Sequence, residues 1–233
     1  MLIIQYLKGI SHFVLYYLDA NTNKNFYSKL HDKDGNHVSY ERKTDISSQL
    51  NGIDVELIVG NRHFFIDEKA SIYYSNAMIP TFAFEINSMQ HGHEQPIDGW
   101  FINEDLKTNY YMLIWPNVKC ELTDGKWIRK NPSEIQYSDF TIIEAMLIEK
   151  KDLVNEAIKH GCDKVHLIEY AIELREMMGI SNERKDIKVD DYFKITYTGA
   201  LNEKPINVVI QKSVLKKIAK ATYLISEDGY AEI

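Results

Sequence analysis

The chain is poor in cysteine, carries no excess of positive charge and has no apolar run long enough to cross a membrane. Its two cysteines, Cys120 and Cys162, are far apart and form no CxxC pair. That excludes a disulfide scaffold or a zinc ribbon and fits a reducing cytoplasm, the expected location. The apolar start Met1-Leu2-Ile3-Ile4 has no basic leader and no small-residue cleavage site, and Lys8 and His12 interrupt it. A span needs ~20 apolar residues, so this segment reads as the start of the fold. With a net charge of −7 the chain lacks the long-range positive field of a protein that coats nucleic acid. An enzyme is less affected, because carboxylates that hold a divalent cation themselves add to the acidic count. No fixed-period repeat, low-complexity tract or clear linker is visible.

What remains is an ordinary folded chain of 233 residues, 45% hydrophobic and 26% charged, enough for one sizeable domain or a domain with an extension. Leu2 to Leu18 is apolar and aromatic-rich, with a periodicity that fits helix and strand equally. The pattern from about Val38 to Leu50 predicts a helix with Glu41, Asp45, Ser48 and Gln49 on its polar side. Strands are predicted at Thr81 to Ile86 and at Tyr110 to Trp115, the latter ended by Pro116. Phe140 to Met178 reads as mostly helical with a break near Gly161. Strands at about 192–197 and 206–210 and a lysine-bearing helix at about 213–222 complete the chain.

The clearest signal is Ile53-Asp54-Val55-Glu56-Leu57-Ile58-Val59, then Gly60-Asn61, then Arg62 through Ala70. Two β-prone runs around Gly-Asn predict a hairpin, with glycine supplying the positive φ that a two-residue turn requires. In that register Val59 faces Arg62, Val55 faces Ile66 and Asp54 lies opposite Asp67. Alternation puts Ile53, Val55, Leu57, Val59, Phe64, Ile66 and Ala70 on a core face interrupted by Glu68. The other face carries Asp54, Glu56, Ile58, His63, Phe65, Asp67 and Lys69. Opposed aspartates sit roughly 4.5–5.5 Å apart at Cβ and repel, so a positive group is expected between them. Mg²⁺ or Mn²⁺ is the natural candidate, bound through one or two carboxylates, water and phosphate oxygens. Lys69 reaches the same side, where it can orient or help deprotonate a water or neutralise charge on a phosphate.

The run Gln49-Leu50-Asn51-Gly52-Ile53-Asp54, a hairpin, then Ile66-Asp67-Glu68-Lys69-Ala70 resembles the active site of the PD-(D/E)xK, or restriction-endonuclease-like, nuclease superfamily. There an aspartate begins one strand and (D/E)xK lies on the next. The resemblance implies that Asp54 and Asp67 are metal ligands and that Lys69 is the catalytic lysine. Ile53 stands in place of the proline, and Asp67 where glutamate is commoner. Gly99-Trp100-Phe101 and 201–207 resemble uncharacterised bacterial and phage-type proteins sharing this core. Asp/Glu–x–Lys also occurs at Glu41–Lys43, Asp105–Lys107, Asp124–Lys126, Glu149–Lys151, Glu183–Lys185 and Asp186–Lys188. Only Asp67–Lys69 combines a strand, an opposed aspartate and an apolar reverse face.

Other residues carry two readings each. Glu85, flanked by apolar residues, is a further metal carboxylate if its strand neighbours Asp67; otherwise it is a strand-end glutamate reaching solvent or a lysine. Glu41 completes the metal shell or lies on a solvated helix face. Gln49 orients Asp54 or bonds backbone at a helix end. His91-Gly92-His93-Glu94 lacks the rigid spacing of a helical zinc site and reads as a loop, and His63 lies too near the turn to share a metal with Asp54. Lys212, Lys216, Lys217 and Lys220 face phosphates or simply water. Trp100, Trp115, Trp127 and the tyrosine pairs 73–74 and 110–111 stack on unpaired bases or pack in the core.

The expected fold is α/β, a mixed sheet with flanking helices. A restriction-endonuclease-like core at 1–137 would carry a helical and α/β extension at 138–233, packed as one unit. The expected activity is Mg²⁺- or Mn²⁺-dependent hydrolysis of nucleic acid, DNA favoured and RNA allowed, with no membrane partner. The alternative is a catalytically inactive binding or regulatory module on the same fold.

Overall fold

The computed structural model describes residues 12–76, 79–89, 92–179 and 181–233. The start of the chain, including Met1-Leu2-Ile3-Ile4, and His91 of the histidine loop lie outside the described residues. The protein is α/β, built on two sheets. The larger has seven strands in the order β1 (Ser39–Arg42), β2 (Val55–Val59), β3 (Arg62–Ala70), β6 (Tyr110–Val118), β9 (Phe140–Glu149), β13 (Ala221–Ser226) and β14 (Gly229–Glu232). The smaller has five, β10 (Arg184–Lys188), β11 (Phe193–Thr198), β12 (Ile206–Gln211), β4 (Thr81–Ser88) and β5 (Ile97–Asp98). A separate hairpin pairs β7 (Glu121–Thr123) with β8 (Lys126–Ile128). Helices are α1 (His12–Asn25), α2 (Ile46–Leu50), α3 (Lys150–Lys159), α4 (Lys164–Met178) and α5 (Lys212–Ile218). Both sheets draw strands from before and after residue 138, so the two segments are interwoven.

The large sheet is mixed. Strands β1, β2 and β3 form an antiparallel meander, β6 runs parallel to β3, and β9 is antiparallel to β6. The chain reaches β6 from β3 by way of β4 and β5 in the other sheet. Alternation along β6 divides the molecule. Met112, Ile114 and Val118 enter one core with Leu18, Phe26, Tyr27, Val55, Leu57 and Ile66. Tyr111, Leu113 and Trp115 enter the other, shared with the small sheet and with α3, α4 and α5. A strand buried on both faces reads as a continuous apolar run.

That double burial accounts for one correction. Phe140–Glu149 is a strand, and only α3 and α4 follow as helices, separated near Gly161 as expected. A short apolar run gives no periodicity by which strand and helix can be told apart. Residues 38–50 are also not one helix. Ser39–Arg42 pairs with β2, and only Ile46–Leu50 is helical, capped by Asp45, whose side chain accepts the Ser48 N–H. Strand β6 passes through Pro116 to Val118; the ladder shifts register between those two residues, where proline's missing N–H costs nothing. The C-terminal helix stops at Ile218, and Thr222 belongs to β13.

Candidate functional site

The hairpin forms in the expected register, with Val59 opposite Arg62, Leu57 opposite Phe64 and Val55 opposite Ile66. Gly60 takes φ +59° in the turn. Asp54 lies just ahead of β2, its N–H donating to Ile66 O at 2.9 Å. Its carboxylate is held at both oxygens. Oδ2 accepts the Glu68 backbone N–H at 2.8 Å, and Oδ1 accepts Gln49 Nε2 at 3.2 Å. Gln49 Nε2 also reaches Lys43 O at 2.9 Å, so α2 ties the aspartate to the end of β1. Thr108 Oγ1 donates to Gly52 O, closing the loop before Asp54 against the start of β6.

Asp67 faces the small sheet and is 2% exposed. Lys69 Nζ donates to its Oδ1 at 2.5 Å, while Oδ2, also buried, has no hydrogen-bond partner among the described residues. A buried carboxylate oxygen without a partner is costly unless something else meets it. Burial pushes the Asp67 carboxyl up to about 7, Lys69 pulls against that, and the nearby Asp54 raises it further. Lys69 itself is 24% exposed at its side chain. Burial works against its charge, but Asp67 and Asp54 outweigh burial and hold it above the ordinary lysine value. Its ammonium lies 5.0 Å from the centre of the Trp100 ring, a cation–π contact.

Glu85 lies on β4, in the small sheet, so its strand is not the neighbour of β3; β6 is. Its carboxylate accepts Ser88 Oγ at 3.2 Å, and burial raises its pKa while Lys69 lowers it. Gly99 makes the close packing there possible, since a Cβ at that position would stand 2.4 Å from Glu85 O. Glu41 lies on β1, not on a helix, opposite Glu56. Lys43 bridges the two glutamates at 2.7 and 2.6 Å, and His63 Nδ1 completes the group at 2.6 Å from Glu56. That cluster occupies Glu41 away from Asp67. Among the described residues no group of three or more His, Cys, Asp or Glu side chains stands arranged to hold an ion.

Three partners of the site lie beyond what its spacing signals. Glu68, between the two key residues, turns its side chain to the opposite core; there Arg42 Nη1 meets it at 2.6 Å and the Tyr27 hydroxyl at 2.8 Å. Lys150, first residue of α3, feels the charge of Asp67, and burial lowers its pKa. Trp100 caps Lys69 and packs on Phe84, Phe101 and Tyr111. Only the apolar interruption at Glu68 was a visible signal. The competing motif Asp186-Ile187-Lys188 also lies on a strand, but Arg184 and Lys194 bind its aspartate at an exposed edge.

No known protein family, curated protein or solved structure matches this chain. Among the described residues no helix is long and apolar enough to cross a membrane.

Proposed function

We propose that the protein is a Mg²⁺- or Mn²⁺-dependent nuclease with a restriction-endonuclease-like core, acting on DNA and able to take RNA. The observation that carries this reading is the deeply buried Asp67, one oxygen on Lys69 and the other without a partner, beside a second aspartate fixed in place. That arrangement agrees with the PD-(D/E)xK resemblance, in which an aspartate heads one strand and the D/E-x-K follows on the next.

In this reading Asp54 and Asp67 hold the cation, while Glu85, reaching in from the small sheet, acts on the Lys69 charge as a further carboxylate of the site. When bound, a divalent cation supplies positive charge to the phosphoryl oxygens and makes water a better nucleophile. The chain's own residues do the positioning. Gln49 and the Glu68 N–H fix the Asp54 carboxylate, so its geometry needs no reorganisation. Lys69, kept protonated by its two aspartates, stabilises charge that develops on phosphate. Trp100, its ring centre 5.0 Å from the ammonium, helps hold it in place beside Asp67.

A second reading, an inactive binding module on the same fold, draws on Asp54, whose two oxygens already accept hydrogen bonds. Cleavage of mixed DNA and RNA substrates with Mg²⁺ or Mn²⁺, wild type against Lys69→Ala, separates the two. Metal-dependent cutting that the substitution abolishes supports the nuclease. No cutting on any substrate favours the module.

A further inference from the structure

The aromatic residues divide sharply by environment. Trp115 is buried against Phe82, and Trp100 is packed among Phe84, Phe101 and Tyr111. Trp127 is 73% exposed, and it lies on β8 directly opposite Leu122 of β7, itself 61% exposed. An isolated two-stranded hairpin is marginal in water, and this one turns every residue from Glu121 to Ile128 outward. Lys119, Lys126 and Arg129 are exposed and make no ion pair among the described residues, against the exposed acids Asp124 in the turn and Glu121, which faces Lys130 at 3.6 Å; Asp139 holds that lysine at 2.8 Å. On a chain of net charge −7, an exposed tryptophan between unpaired cations is complementary to a polyanion with flat bases.

The hairpin is also tied to the candidate site. Lys69 stands beside Leu113 on β6, and the same strand ends at Val118, three residues before the hairpin begins at Glu121. The stretch to Val118 alone covers about 17 Å at roughly 3.3 Å per residue, or about five stacked nucleotides at roughly 3.4 Å each, and Trp127 stands beyond its end. Strand β3 leads from Lys69 into a turn with exposed Tyr73 and Tyr74. Asn76, just beyond, bonds Val118 and the Cys120 sulfur at the hairpin's root.

We propose that the β7–β8 hairpin is a docking arm for single-stranded nucleic acid: Trp127, backed by Leu122, stacks on an unpaired base while Lys119, Lys126 and Arg129 meet the flanking phosphates. The identity of this occupant rests on the nuclease reading. The arm holds the strand at least about five nucleotides from Asp67 and Lys69, which sets a minimum substrate length.

The test is binding without cleavage. Fluorescence anisotropy in EDTA compares labelled single strands of about four and about twelve nucleotides, shorter and longer than the ~17 Å span, and a duplex of the longer length. Trp127→Ala should weaken the long single strand by about tenfold or more, with little effect on the short strand or the duplex. Trp127→Phe should restore most of the affinity, and the long strand should quench the wild-type tryptophan emission. Unchanged affinity in Trp127→Ala, or a loss equal for both lengths, overturns the arm. So does a dimer that Trp127→Ala dissolves in sedimentation, which would make a second copy the occupant. Cutting with Trp127-independent binding removes the arm and leaves the nuclease. Trp127-dependent binding by a chain that cuts nothing keeps the arm and removes the nuclease.

Discussion

Glu68 separates Asp67 from Lys69 in sequence and turns to the opposite side of β3, where its side chain is 8% exposed. Arg42, 17% exposed, meets it at 2.6 Å and is itself steadied by Asn23 Oδ1 at 3.0 Å and by Asp19 at 3.6 Å. Glu68→Gln keeps the volume and an acceptor for the Tyr27 hydroxyl but leaves the guanidinium facing an amide. Breaking one side of a buried pair costs about 3–5 kcal/mol. Asp19 and Asn23 remain with Arg42 and lower that figure to about 2–3 kcal/mol for Glu68→Gln. Arg42→Met should cost a similar amount. The double variant should cost less than the two together, with a coupling of about 1–3 kcal/mol. Urea unfolding of the four proteins measures this, with the midpoint falling and the m-value unchanged. Single losses below about 1 kcal/mol that simply add would refute the claim that this pair anchors the site strand. Because the Glu68 N–H holds Asp54, the same variants should loosen whatever Asp54 binds.

Three further outcomes follow from the same geometry. In the absence of divalent cation the folded Asp67 carboxyl titrates near 7 against 3.8 for the free group, so the native state binds the extra proton between those values. Stability should therefore fall as pH rises from about 4 to about 7 and level off above; Asp19, which burial also pushes up to about 7, adds to the slope, so Asp67→Asn should reduce it without abolishing it in melts across the range. Gly99→Ala places a methyl against Glu85 O and should cost about 1–3 kcal/mol, seen as a lower Tm. Asp54→Asn turns an amide NH₂ toward either the Glu68 N–H or Gln49 Nε2, each of which the carboxylate now accepts, and should cost about 1–2 kcal/mol as a lower Tm, even though it removes a charge that raises Asp67.

The hairpin was legible because its signals are local. A Gly-Asn turn and strict alternation fix which side chains share a face, and Asp67 and Lys69 fall together whatever surrounds them. Strand β9 was not legible, because a run buried on both faces has no period. The five-stranded sheet was hidden for a different reason. Strand β4 pairs with β12, far along the chain, and nothing in either segment signals the other. Placement of Glu85 depended on that pairing. Glu41 went with the mistaken helix; on β1 it is bound by Lys43. The Arg42–Glu68 pair was foreshadowed only by a charged residue on an otherwise apolar face. Separating Trp127 from the packed tryptophans required the tertiary fold itself.

The central claim is that Asp54 and Asp67 together hold a divalent cation, and Mn²⁺ binding followed by electron paramagnetic resonance tests it most directly. The account predicts one Mn²⁺ bound in the low-millimolar range or tighter, lost in Asp67→Asn and retained in Lys69→Ala, which frees the second Asp67 oxygen. No binding by the wild type, or binding indifferent to Asp67→Asn, would contradict it.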